Sequence, residues 1–216
     1  MAEPVARLYL ITPVLEDASF APKLAEACAT GAVAAVLLRL AASDERTLTN
    51  HVKTLGPSVQ EHGAALIVTA PGQADLATVA ARAGADGVHV AGDPELVREL
   101  RERLKGDRAL GVGGIRTKDD AMTLGEAGVD YLLFGEPRPD GSLPSLESVA
   151  ERAAWWAEIF EPPCVAYAPS LEAVETLAAT QAEFIALGDA VWAHPDGIAA
   201  AVKAAADILR RQEASR

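Results

Sequence analysis

The chain has 216 residues, of which 50% are hydrophobic and 5% aromatic, and it carries a formal net charge of −12 at pH 7. Its length and composition favour a globular fold with a substantial core and exclude a largely disordered chain. The acidic balance argues against binding nucleic acid or an anionic membrane over a broad surface. With no signal-peptide pattern and no apolar run long enough to span a bilayer, we expect a soluble, cytoplasmic protein that binds a small molecule.

Short apolar runs alternate with helical patterns along the whole chain. The predicted strands are 7–12, 34–40, 64–69, 86–90, 108–113, 130–135, 164–167 and 183–188, and the predicted helices are 18–30, 44–61, 73–83, 94–105, 117–127, 145–159, 170–180 and 195–212. Most of the strand segments are continuously apolar, which is typical of strands buried on both faces of a parallel sheet. Glycine recurs where a helix ends and a strand follows, a position that favours the left-handed backbone conformation.

Eight consecutive βα units form either an open doubly wound sheet or a closed barrel. No GxGxxG motif follows the first strand, where a dinucleotide-binding fold would carry it. We therefore predict one α/β domain over residues 1–216, folded as a single (β/α)8 TIM barrel. In such barrels the functional residues lie on the loops that follow the strands.

Polar residues at the ends of the predicted strands are the candidates for substrate binding. Arg39 ends the second strand, where its side chain either faces a ligand or pairs with an acid such as Asp189. His89 lies at an alternating position of the fourth strand, which suits a hydrogen-bonded interior histidine or a catalytic base. We expect the substrate-binding residues to be Arg39, Thr69, His89 and Asp189.

A glycine turn follows the fifth strand and opens a helix. Its N–H groups could cradle an anion with the help of two nearby cations, whereas a tight strand-to-helix turn would need the same glycines without a ligand. The predicted phosphate-binding residues are Gly113, Gly114, Arg116, Thr117 and Lys118.

Two further features have structural interpretations. Asp93 directly precedes Pro94 at the start of a predicted helix, where it would cap the helix. Trp155 and Trp156 lie on an outer helix and would pack against the barrel or, as an exposed pair, form a homodimer contact.

The order and spacing of several segments resemble the thiamine phosphate synthase family, which includes the TenI-like thiazole tautomerases. These segments are RLYLIT (7–12), VLLR (36–39), DLA (75–77), AGADGVHV (83–90), LGVG (110–113) and AGVDYLLFG (127–135). The resemblance implies a (β/α)8 barrel and a reaction that joins a pyrimidine pyrophosphate to a thiazole phosphate, with Mg²⁺ bridging the departing pyrophosphate. It also implies that Asp93 takes the place of a metal-binding carboxylate.

The same resemblance implies that many functional residues are replaced in this chain. Ala70 stands where the family has its other metal aspartate, and Ala41 where it has a pyrophosphate-binding lysine. Gly113 stands in place of a serine that contacts pyrophosphate. Pro169, which has no N–H group, lies in the turn that would hold the thiazole phosphate, and Asp189 replaces a serine near that phosphate.

These replacements lead to different functional hypotheses. The first is a divergent thiamine phosphate synthase-like transferase whose activity is weak or lost, with Mg²⁺ as its metal. The alternative is a non-catalytic or repurposed barrel that binds a small metabolite, and a third hypothesis is new chemistry around Arg39, His89, Asp93 and Asp189. We do not expect tautomerase activity, because Ile115 stands where that branch of the family carries its catalytic histidine.

Overall fold

The computed structural model describes residues 6–138 and 140–214. Its strands are β1 (Arg7–Leu15), β2 (Val33–Leu40), β3 (Ala65–Thr69), β4 (Gly87–Ala91), β5 (Ala109–Gly113), β6 (Tyr131–Phe134), β7 (Cys164–Ala168) and β8 (Phe184–Leu187). Its helices are α1 (Ala21–Cys28), α2 (Glu45–Leu55), α3 (Pro57–Gln60), α4 (Leu76–Ala83), α5 (Pro94–Leu104), α6 (Lys118–Glu126), α7 (Leu146–Ile159), α8 (Glu172–Ala178), α9 (Asp189–Trp192) and α10 (Ile198–Ala214).

The strands form a closed parallel barrel. Each pairs with the next in chain order, and β8 closes the barrel by pairing with β1. The predicted (β/α)8 TIM barrel is therefore confirmed. No helix within residues 6–138 and 140–214 is both long enough and apolar enough to cross a lipid bilayer.

Three local features differ from the sequence prediction. β1 continues past residue 12 to Leu15, because Val14 and Leu15 pair with the end of β2 after an irregularity at Pro13, which has no N–H to donate. The predicted helix 44–61 divides into α2 and α3 at Pro57, which cannot continue the ladder of helical hydrogen bonds. The short helix α9 was not predicted, since four residues are too few to show a periodic pattern.

A large apolar core lies between the barrel and its outer helices. Trp156 on α7 is 0% exposed, stacks on Phe160 and donates its indole N–H to the carbonyl of Pro162 at 2.7 Å. The packing interpretation is therefore confirmed for Trp156, because this side chain fills the layer between α7 and the sheet. Trp155 is partly buried against the same core. The homodimer stays a prediction.

A smaller core fills the barrel itself, and glycine in β5 makes room for it. The ring of Tyr131 crosses β5 so closely that a Cβ atom at Gly111 would lie 2.0 Å from its Cζ atom. The hydroxyl of Tyr131 hydrogen-bonds that of Tyr9 at 2.8 Å inside the barrel. This small-residue strand allows large polar rings to fill the centre of the barrel below the functional end.

Candidate functional site

A cavity of about 920 Å³ opens at the carboxyl ends of the strands. Its walls come from the ends of β2, β3, β4 and β5, the loops after β3 and β6, and the helices α4 and α5. Many of the lining side chains are apolar, including Val14, Leu40, Ala70, Ala74, Leu76, Ala91, Leu96 and Leu100. Such a volume is within the range of small-molecule sites, and these walls suit a ligand with an apolar body.

Arg39 places an unpaired positive charge in this cavity. It is half-buried, and its backbone N–H donates to Oγ1 of Thr12 at 3.0 Å. Its guanidinium group makes no ion pair or hydrogen bond with any residue that the structure describes, so the pairing with Asp189 is not present. Thr69 is its neighbour across the β2–β3 ladder and also lines the cavity. Ligand binding therefore remains the interpretation that accounts for the free guanidinium group.

His89 links the cavity to the polar centre of the barrel. It is 7% exposed, and its Nδ1 atom hydrogen-bonds the hydroxyl of Tyr131 at 3.1 Å, which extends the contact to Tyr9. Burial, with a smaller contribution from the charge of Arg39, lowers the pKa of His89 to about 4. The prediction of a hydrogen-bonded interior histidine is confirmed, and at neutral pH the ring is uncharged.

The free nitrogen of His89 faces the cavity. Nε2 has no hydrogen-bond partner among residues 6–138 and 140–214, and no fully buried side-chain nitrogen or oxygen in that part of the chain lacks a partner. Nε2 must therefore reach the open space that His89 lines. It also lies 2.8 Å from the position that a Cβ atom would take at Gly113, so a larger residue would fit there only if neighbouring side chains moved.

Glu136 is a cavity residue that the sequence analysis missed. It lies two residues after the end of β6, following Gly135, and its side chain is half-buried. Its Oε1 atom accepts a hydrogen bond from the backbone N–H of Gly114. A Cβ atom at Gly113 would overlap with the same Oε1 atom. Burial raises the pKa of the Glu136 carboxyl above its ordinary value, although the Gly114 N–H and the charges of Arg152 and Arg39 act in the opposite direction. Its place directly after a barrel strand was the available signal.

The glycine turn after β5 directs its N–H groups at carboxylates of the protein itself. The N–H of Gly114 donates to Glu136, and the N–H groups of Arg116 and Thr117 donate to Oδ2 of Asp120 at 3.4 and 3.0 Å. Thr117 and Asp120 form a reciprocal capping box at the start of α6. An anion at this turn would have to displace one of these carboxylates.

The cation of Lys118 is also engaged on the outside of the barrel. Its Nζ atom pairs with Glu151 at 3.3 Å and lies 5.0 Å from the centre of the Trp155 ring. Arg152 on α7 donates to the carbonyls of Ile115 and Arg116 at 3.0 and 3.4 Å, which ties this helix to the same turn. The turn is thus held by contacts to its neighbours.

The structure divides the predicted site residues into two groups. Those that line the cavity are Arg39, Thr69, His89, Gly113 and Gly114. Those that do not line it are Asp93, Arg116, Thr117, Lys118 and Asp189. The residues at the strand ends therefore line the cavity. The predicted residues further along the loops lie outside it, and two of them, Asp93 and Thr117, cap helices.

Asp93 caps α5. Its Oδ1 atom accepts hydrogen bonds from the N–H groups of Glu95 and Leu96 at 3.0 and 3.4 Å, and Pro94 occupies the first turn. The N-cap interpretation is confirmed, and metal binding stays a prediction. Within the described residues, no three His, Cys, Asp or Glu side chains come together as metal ligands would. With Ala70 in the neighbouring wall, these residues do not fit Mg²⁺ unless a ligand supplies most of the oxygens.

The ends of β7 and β8 form a separate polar corner. Asp189 is exposed at the start of α9, and its negative charge adds to the burial that raises the pKa of Tyr167. Pro169 is exposed directly after β7. With a carboxylate and a residue that has no N–H group, this corner has little to offer a phosphate.

Comparisons with known proteins agree along nearly the whole chain. Residues 8–191 match the family model described as thiamine monophosphate synthase. The thiamine-phosphate synthase of Rhodospirillum centenum is 39% identical over 91% of this chain and 94% of its own length. The thiamine-phosphate synthase of Hyphomonas neptunium is 33% identical over 93% of this chain and 92% of its own length.

Solved structures show the same fold at lower sequence identity. The thiamine phosphate pyrophosphorylase of Pyrococcus furiosus has a TM-score of 0.76 at 21% identity. The match covers 97% of this chain and 98% of the Pyrococcus furiosus chain. The 3-hexulose-6-phosphate synthase of Salmonella typhimurium reaches 0.75 at 16% identity, with coverages of 95% and 99%. From the family model and the sequence relatives, this chain belongs to the thiamine monophosphate synthase family.

Proposed function

We propose that this chain is a divergent thiamine phosphate synthase-like barrel in which the transfer reaction is weak or lost, and that its cavity binds a small metabolite without a phosphate group. The observation that carries the proposal is the carboxylate of Glu136, which accepts the N–H of Gly114 inside the cavity. A negative charge there repels a diphosphate and uses a donor that the diphosphate would need.

The walls of the cavity support the same proposal. Leu40, Leu76, Leu96 and Leu100 offer no hydrogen bonds to a charged group, and they favour a ligand that has apolar surface to bury. The unpaired Arg39 and the free Nε2 of His89 would then orient the polar end of that ligand. Asp93, as a helix cap, would bind Mg²⁺ only together with ligand oxygens.

The direct test is a synthase assay on the purified protein. Both phosphorylated substrates and Mg²⁺ are supplied, product is detected by mass spectrometry, and the Rhodospirillum centenum relative is assayed in parallel. Each missing electrostatic contact costs about 3 kcal/mol of transition-state stabilisation, so the loss of two or three predicts a rate that is lower by about 10⁴-fold or more. Turnover near the rate of the relative, abolished by Asp93→Ala, would contradict the proposal and show a rebuilt metal site.

A thermal-shift panel tests the binding half of the proposal. The protein is heated with thiamine precursors in their unphosphorylated and phosphorylated forms, each with and without Mg²⁺. A ligand at 100 times its Kd stabilises the folded state by about 2.7 kcal/mol, which is readily seen as a higher Tm. We expect larger shifts with the unphosphorylated forms. Larger shifts with the phosphorylated forms would favour the inherited reaction instead.

The second candidate function is the synthase reaction itself. It is favoured by the relatives of that name, which match more than nine tenths of this chain at up to 39% identity. In that case Arg39 would bind the departing pyrophosphate, and Glu136 would have to swing away from Gly114. The assay above separates the two candidates.

A further inference from the structure

The polar end of the cavity has the parts of an anion-binding pocket. Gly114 has a φ angle of 73°, a conformation that residues other than glycine rarely adopt. Its N–H lies beside the gap left by the missing Cβ atom of Gly113. Arg39 lines the same cavity with a guanidinium group that makes no ion pair or hydrogen bond within the described ranges. A backbone donor, a cation and free space are the usual means of holding an anionic group.

The carboxylate of Glu136 already occupies this pocket. Oε1 accepts the N–H of Gly114 and fills the space next to Gly113, where a Cβ atom would fit only if the carboxylate moved. The other carboxylate oxygen accepts no hydrogen bond from any other described residue, and Glu136 lines the cavity. Glu136 therefore takes the place of a bound anion while leaving an acceptor exposed to a ligand.

His89 completes the arrangement from β4, the strand next to β5. Its side chain is more than nine tenths buried, it is held through Nδ1 by Tyr131, and its unpartnered Nε2 faces the cavity beside Gly113. Because the ring is neutral, it does not offset the charge of Glu136. A ligand that enters this end meets a carboxylate, a neutral imidazole and a free guanidinium group.

We propose that Glu136 is a specificity-determining residue: it is a built-in occupant of an anion pocket formed by the Gly114 N–H and Arg39, and it excludes phosphate and pyrophosphate from the cavity. The ligands it selects are uncharged or singly charged small molecules that present a hydrogen-bond donor to Glu136 and an acceptor to Arg39. This inference rests on the proposed function, because it explains how the cavity would reject phosphorylated compounds.

The test replaces Glu136 and measures the binding of inorganic pyrophosphate by isothermal titration calorimetry. Glu136→Ala frees the N–H of Gly114 and removes the repelling charge, so we expect pyrophosphate to bind about 10- to 100-fold more tightly than to the unaltered protein. Glu136→Gln removes the charge but retains an oxygen that can hold Gly114, so a smaller gain is expected. This second variant also provides the test if Glu136→Ala fails to fold.

Two further variants make the test specific. Glu158→Ala removes the same charge at an exposed position near the C-terminal end of α7, which does not line the cavity, and should leave pyrophosphate binding unchanged. Adding Arg39→Ala to Glu136→Ala should abolish the gain. Tighter binding in the Glu158→Ala variant, or no gain in either Glu136 variant that folds, would overturn the proposal, and so would a gain that persists without Arg39.

The outcome is separable from that of the proposed function. If Glu136→Ala gains no affinity while the unaltered protein still makes no thiamine phosphate, the role assigned to Glu136 fails. The loss of the transfer reaction then rests on the missing family contacts at Ala70 and Ala41 instead of on Glu136. If the unaltered protein turns over at the rate of its relative, the proposed function fails, whatever the calorimetry gives.

Discussion

Acidification should weaken the fold through His89. In the unfolded chain this side chain binds a proton near its ordinary pKa of 6.5, whereas in the folded barrel burial lowers the pKa to about 4. Between these two pH values the unfolded state binds more protons, so the free energy of unfolding falls as the pH falls. Each unit of pH in this window costs about 1.4 kcal/mol, which predicts a loss of about 2 kcal/mol between pH 7 and pH 5.

Urea denaturation at several pH values measures this loss. His89→Gln removes the titrating ring but keeps an amide that can bond to the hydroxyl of Tyr131, so the variant should lose about 2 kcal/mol less than the unaltered protein over the same window. Glu136 acts in the opposite sense, because its raised pKa makes the folded state the better proton acceptor as the pH falls. Both proteins contain Glu136, so its contribution cancels in the comparison. The measurements stop near pH 5, since the pI of about 4.8 promotes association below it.

Equal losses in the two proteins would refute the reasoning, because they would mean that His89 takes up its proton as easily inside the barrel as in water. An NMR titration of the imidazole gives the same answer independently. Its resonance should stay unchanged from pH 7 to pH 5, and a midpoint near 6.5 would show that the ring is hydrated and not held by Tyr131.

Two further substitutions probe the packing below the site. Gly111→Ala would push a methyl group into the ring of Tyr131 and should lower the free energy of unfolding, measured by urea denaturation, by about 1–3 kcal/mol. This loss should largely disappear when Gly111→Ala is made in a Tyr131→Ala variant. Equal losses with and without Tyr131 would contradict the overlap. Trp192→Phe removes an indole N–H that donates to the buried carbonyl of Ile11 at 2.6 Å, so we expect a loss of about 1–3 kcal/mol, and an unchanged urea midpoint would show that water replaces this bond.

The barrel could be predicted because each of its units carries a local signal. Segments such as DYLLFG and EFIALG contain continuous apolar runs, and helix ends such as Gly84 adopt the left-handed conformation that the sequence suggested. Boundaries were harder where pairing or proline decides them. β1 gains Val14 and Leu15 only because β2 offers them partners, and no local pattern contains that information.

The site was predictable where a residue's position along a strand fixes its direction. Arg39, Thr69 and His89 end or alternate within strands, and all three line the cavity. The loop residues could not be placed in this way. Whether the N–H groups of the turn after β5 face a ligand or a carboxylate depends on Glu136, which lies 22 residues further along the chain.

Glu136 and Gly113 are therefore best understood together. The family resemblance implies a serine at position 113. From the sequence alone, the glycine at this position suggests only that a pyrophosphate contact is missing. The structure gives a physical reason for the glycine: any Cβ atom there would overlap with Oε1 of Glu136 and crowd Nε2 of His89. A serine at position 113 and this carboxylate conformation exclude each other, so with a serine there the Glu136 side chain would have to take another conformation. Where the resemblance implies a neutral hydroxyl group, this chain places the carboxyl group of Glu136 in the same space.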